Sequence, residues 1–135
     1  MQSNAVDELN DEEQPMSNEN LKRRTKRFAL DVIKFFEALP KNETCRILCR
    51  QLLRAGTSTG ANYRAACRAK STADFISKMG TVEEEADESA YWIELLIEDG
   101  KVPEPKGGPL LKEANELFAI AIASIITARK SGGRR

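Results

Sequence analysis

The chain has 135 residues, 41% hydrophobic and 31% charged, with a formal net charge of zero and no histidine. That length supports one domain with a single core. No apolar run approaches the roughly 18 to 20 residues of a membrane span, and the opening Met-Gln-Ser-Asn-Ala-Val-Asp-Glu lacks the basic and apolar regions of a secretory signal, so the expected setting is cytoplasmic, away from membranes.

Residues 1–18 are polar, acidic and aperiodic, and read as a disordered tail. A first helix is predicted from Glu19 to Leu39, where Leu21, Phe28, Val32, Phe35 and Leu39 share a face and Pro40 stops the run. A second is predicted from Glu43 to Lys70 with Asn42 as N-cap. Gly56 and Gly60 lie on its apolar side, where small residues let two helices approach closely. A third is predicted from Thr72 to Asp99, opened by the capping pattern Ser71-Thr72-Ala73-Asp74 and closed by Gly100. After a loop over Lys101–Gly108, Pro109 fits the first position of a fourth helix reaching Lys130. The apolar face of this last helix is wider than one groove needs, which suggests cover by another subunit. The tail 131–135 is short, Gly-rich and basic. The predicted fold is all-α: an up-and-down antiparallel four-helix bundle over 19–130.

The zero net charge conceals blocks. Residues 1–20 hold six acids and no base; 21–78 hold fourteen bases and four acids; 79–100 hold eight acids and no base. At about 100° per residue, Arg46, Arg50, Arg54, Arg64 and Arg68 fall on one stripe of the second helix. The stripe suits phosphate binding. It equally suits pairing with an acidic stripe on the third helix, Glu83, Asp87, Glu94 and Glu98, within a subunit or across an interface. Lys22, Arg23, Arg24, Lys26 and Arg27 cluster on the first helix, and Arg129, Lys130, Arg134 and Arg135 at the chain end. In a ring these would form a basic rim that gains by avidity, with the acidic tail as a shield or competitor.

Catalytic and metal equipment is missing. Without histidine there is no Ser-His or Cys-His pair. Cys45, Cys49 and Cys67 are an odd set among core positions and read as small buried hydrophobes, not a disulfide framework or zinc site. Gly56-Thr57-Ser58-Thr59-Gly60 lacks the Lys-Ser/Thr of a phosphate loop. Asn62 reads as a buried hydrogen-bonding residue rather than a catalytic one. Tyr91 and Trp92, being adjacent, cannot both point inward, so one belongs to the core and the other to an interface. No catalytic, cofactor-binding or metal-binding residue is assigned.

The stretch Arg54–Leu96 closely resembles the four-helix-bundle proteins encoded in intervening sequences of bacterial 23S ribosomal RNA genes. The resemblance rests on Arg54, Ser58, Gly60, Ala61, Asn62 and Ala66; on Ser71, Asp74, Phe75, Ile76 and Lys78; and on Glu85, Ala86, Glu88, Tyr91 and Trp92. Leu21–Pro40 also fits. The chain departs from the pattern at Thr59, Ala65 and Glu84, so a charged contact at those positions does not carry over. The resemblance implies a homo-oligomeric ring, a homopentamer, and more distantly a kinship with accessory proteins of diversity-generating retroelements, which bind nucleic acid and a reverse transcriptase. The family itself has no settled activity. The expectation is a non-enzymatic oligomer binding RNA or DNA with little sequence preference; the alternative is a scaffold whose partner is another protein, such as a polymerase.

Overall fold

The computed structural model describes residues 17–133. Helix α1 runs Asn18–Ala38, its start capped by the Ser17 hydroxyl, which accepts from Asn20 N at 3.2 Å. It stops where Leu39 turns extended, the conformation a following proline favours. Helix α2 is Glu43–Cys67, capped by Asn42 Oδ1, which accepts from Cys45 N at 2.9 Å. It ends three residues earlier than the apolar spacing predicts. Arg68 N and Ala69 N tighten onto Ala65 O and Ala66 O, and Lys70 N donates to Asp74 Oδ2 at 3.1 Å. The capping sequence of the next helix thereby claims the end of this one.

Helix α3 spans Thr72–Glu98, with Ser71 Oγ accepting from Asp74 N at 3.0 Å. At its far end Gly100 takes a φ of 74°. Gly100 N then donates to Ile97 O and Lys101 N to Leu96 O, the paired bonds of a Schellman stop.

Helix α4 covers Glu104–Gly133, which corrects both predicted ends. Residues 104–108, read as the second part of the loop, are already helical, so Pro109 sits inside the helix rather than at its first position. Packing overrides local propensity here. Val102 is buried, and a Cβ on Gly107 would come within 2.8 Å of the Ile97 side chain. Only glycine lets this first turn settle on the end of α3, while Pro103 O accepts from both Lys106 N and Gly107 N. The helix also continues three residues past Lys130. The acidic tail up to residue 16, together with Arg134 and Arg135, lies outside the described residues.

Consecutive helices pack antiparallel, and α1 closes thinly against α4, giving the up-and-down four-helix bundle that the sequence predicts. Phe28, Val32, Leu52, Met79, Ile93, Leu96 and Leu117 form its middle. Gly56 and Gly60 bring α2 against α1: a Cβ on Gly56 would lie 2.9 Å from Val32 Cγ2, and one on Gly60 3.3 Å from Thr25 Oγ1. The buried hydroxyls of Thr25, Thr59 and Ser89 each donate to a carbonyl one turn back, so the close approach strands no polar atom.

Candidate nucleic-acid interface

The bundle gathers an excess of positive charge at one end. The starts of α1 and α3 and the ends of α2 and α4 meet there around a cleft lined by Asn18, Cys67, Lys70, Thr72, Phe75, Ala128 and Ser131. Gly132 of α4 comes close enough that a Cβ on it would touch Thr72 at 3.2 Å. Asn18 Oδ1 accepts from the buried Tyr63 hydroxyl at 3.1 Å, tying the start of α1 to the last turns of α2. Burial, with the Cys67 thiol as second cause, raises the Tyr63 pKa, so the phenol stays a neutral donor.

Arg23, Lys26 and Arg27 from the first three turns of α1, Arg64, Arg68 and Lys70 from the end of α2, and Arg129 and Lys130 from the end of α4 are all exposed around this cleft or along the helices leading to it. None of them makes an ion pair with a described residue. Lys22, also in the expected rim, reaches Glu19 at 3.4 Å. The acid beside Lys70, Asp74, is engaged by Lys78 Nζ at 2.6 Å. That contact and the Lys70 N–H lower its pKa and keep it ionised.

One member of the expected basic rim belongs elsewhere. Arg24 turns into the α1–α4 seam, where Nε and Nη2 donate to the two Glu113 oxygens at 2.7 Å each and Nη2 also reaches Glu116 Oε1 at 2.6 Å. These hydrogen bonds, led by Glu113, raise its pKa against the opposing effect of burial. Arg24 is a clasp between helices 89 residues apart in sequence, a partnership that local spacing cannot reveal.

The arginine stripe of α2 faces solvent along its whole length. Arg46 pairs with Glu43 on its own helix at 2.5 Å. Arg54 alone crosses to α3, reaching Glu85 at 3.4 Å and also Glu88, with the Glu88 contact the larger cause of its raised pKa. Glu85 and Glu88 are not the acids the sequence nominated. Glu83 and Glu94 sit on the other flank of α3, roughly 120° or more around from them, and Asp87 and Glu98 are exposed. Glu83, Asp87, Glu94 and Glu98 pair with no described residue. Pairing of the two predicted stripes within one subunit is therefore corrected to a single Arg54 contact with different acids.

Around that contact stands the chain's aromatic pair. Trp92 is half-buried against the core and donates Nε1 to Glu88 Oε1 at 3.3 Å. Tyr91 is 53% exposed and meets Trp92 edge-on, ring centres 5.2 Å apart. Asn62 Nδ2 donates to Ser58 O one turn back at 2.8 Å. Cys45 and Cys49 are buried and Cys67 is half-buried; burial, then the neighbouring Cys45, pushes the Cys49 thiol up to about 12. Among the described residues no group of three or more His, Cys, Asp or Glu side chains is placed to hold a metal, and no helix is long and apolar enough to cross a membrane.

The family model for 23S rRNA-intervening sequence proteins matches residues 18–123. A solved structure from Bacteroides thetaiotaomicron VPI-5482, a protein of unknown function from the S23 ribosomal protein family, is 33% identical. It covers 77% of this chain and 96% of its own length, with a TM-score of 0.72. No curated protein matches the chain.

Proposed function

We infer function from one premise: this chain belongs to the 23S rRNA-intervening sequence protein family. Its role, in our reading, is to bind RNA or DNA without catalysis and with little sequence preference, as a homo-oligomer. The observation that carries this is the basic end, where cations from α1, α2 and α4 stand together and the two acids beside them, Glu19 and Asp74, are already engaged by Lys22 and Lys78. Lysines and arginines of this kind engage phosphates, which fixes position and strength but reads no bases. The stripe from Arg46 to Arg68 extends that surface over about 33 Å, close to one turn of duplex at ~34 Å. A chain without histidine, whose Cys49 thiol burial holds protonated, has little to offer a reaction.

Self-assembly is supported by the outward side of α4. Ala119, Ala123 and Ile126 are exposed there and Ile122 is half-buried, and the spacing of these four residues makes one apolar seam along the helix. A homopentamer is the form the family resemblance implies. The competing role, a scaffold for a protein partner, draws support from exposed Tyr91 packed edge-on against Trp92, residue types that dominate interface energetics.

The test is the native mass of the purified protein after nuclease treatment, read beside the ultraviolet spectrum of an untreated sample. A nuclease-stable oligomer that sheds bound nucleic acid supports both halves of the proposal. An oligomer free of nucleic acid, co-purifying with a stoichiometric protein, supports the scaffold instead, and a monomer removes the assembly half.

A further inference from the structure

The sequence supplies its own anion for the basic end. Residues 1–16 contain Asp7, Glu8, Asp11, Glu12 and Glu13 and no lysine or arginine. They join the bundle at Ser17, the cap of α1, and the next residue, Asn18, is held by Tyr63 beside Arg64. The acidic segment is therefore tethered where the chain is most basic.

Reach agrees with this placement. Glu13 lies four residues before Ser17 and Asp7 ten. At no more than ~3.6 Å per residue, these acids extend at most about 14 and 36 Å from the tether. Arg64 and Arg68 on α2 and Arg129 and Lys130 on α4 belong to the same end as the tether. The opposite end of the bundle lies a full α1 away, about 31 Å for its 21 residues, so at most the outermost acids approach it.

We propose that the segment Asp7–Glu13 docks in cis on the basic end and occupies the cations that nucleic acid would use. The regulatory consequence rests on the nucleic-acid reading; the docking does not. Each exposed carboxylate–guanidinium contact is weak. Tethering, however, holds the segment at an effective concentration in the millimolar range, so several weak contacts form where a free acidic peptide would stay dissociated. A long polyanion carries more charge than the segment and displaces it; a short one does not. The interface thus acquires a threshold against small anions and short oligonucleotides.

Zero-length carbodiimide coupling of the full chain reads the docking without any ligand, because it joins a carboxylate only to an amine in contact with it. The expected products are amide links from Asp7–Glu13 to Lys70 and Lys130, suppressed at ~1 M salt, where the screening length falls to about 3 Å. Links spread evenly to Lys34, Lys41 and Lys106, or no links, would overturn the proposal. In a mixture of isotope-labelled and unlabelled chains, links found only between the two would overturn the in-cis form by making a second copy's segment the occupant. A full-length variant with Asp7→Asn, Glu8→Gln, Asp11→Asn, Glu12→Gln and Glu13→Gln then reads the regulation. Its affinity for a single-stranded RNA probe at low salt should rise about tenfold, the gain shrinking as salt rises. Equal affinity of the two proteins, with RNA clearly bound, would overturn the autoinhibition. If neither protein binds RNA, the function proposed above fails while the coupling products still decide the docking.

Discussion

Arg24→Ala should open the seam between α1 and α4. The guanidinium makes three contacts of 2.6 to 2.7 Å with Glu113 and Glu116, across the thinnest helix pairing of the bundle. Arg24 and Glu113 side chains are only 25% and 27% exposed, whereas Glu116 is 45% exposed. The Glu113 fork therefore counts above the ~0.2–1 kcal/mol of an exposed pair, and the Glu116 contact within that range. Removing the arginine also leaves two carboxylates one turn apart with no shared cation, a further few tenths of a kcal/mol. The expected loss is about 2 kcal/mol, a fall in Tm of roughly 6 to 10 °C for a chain of this size. Thermal and urea unfolding followed by circular dichroism read it. Arg24→Lys should recover only part, since an ammonium cannot make the fork. A double-mutant cycle with Glu113→Ala should return a coupling of about 1 kcal/mol. Arg24→Ala within ~0.3 kcal/mol of wild type, or a coupling near zero, would refute the clasp.

Two glycine substitutions should have opposite signs. Gly56→Ala should destabilise by about 1 to 2 kcal/mol in spite of its better helix propensity, because the new methyl meets Val32 at 2.9 Å. Gly80→Ala, with nothing within 4 Å, should stabilise by up to about 1 kcal/mol; denaturant midpoints decide both. The Cys49 thiol predicts an alkaline limit. Its folded pKa is raised from 9.0 to about 12, so the native state retains a proton that the unfolded chain releases. Its contribution is complete below about pH 9 and is lost as pH climbs toward 12, with Tyr63, also raised, acting in the same sense. Urea midpoints across that range should fall less steeply in Cys49→Ala.

Periodicity found what is local. The apolar face of α1, the Asn42 and Ser71 caps and the Gly100 stop are all written within a few residues of where they act. Helix α4 begins earlier than its local sequence indicates: Gly107, Gly108 and Pro109 read as loop residues, and only the groove beside Ile97 makes Gly107 a helix residue. The charge stripes were visible as directions around a helix, but a direction does not say which neighbour stands opposite. Arg54 therefore meets Glu85 and Glu88 rather than the nominated acids, and Arg24, grouped with its neighbours as rim, closes a seam with residues 89 and 92 positions away. The basic end follows the same logic in reverse: three clusters separate in sequence become one surface only because an up-and-down bundle brings the start of α1 and the ends of α2 and α4 to the same end.

The most direct measurement is the slope of log K against log salt for single-stranded RNA. It should be taken for wild type, for a variant carrying Arg64→Ala, Arg68→Ala, Arg129→Ala and Lys130→Ala, and for a control carrying Lys34→Ala, Lys41→Ala and Lys106→Ala. Binding through the basic end requires the first variant to lose about 0.7 of slope for each phosphate contact removed, and the control to match wild type. Equal slopes in all three proteins, or no salt-sensitive binding by wild type, would contradict it.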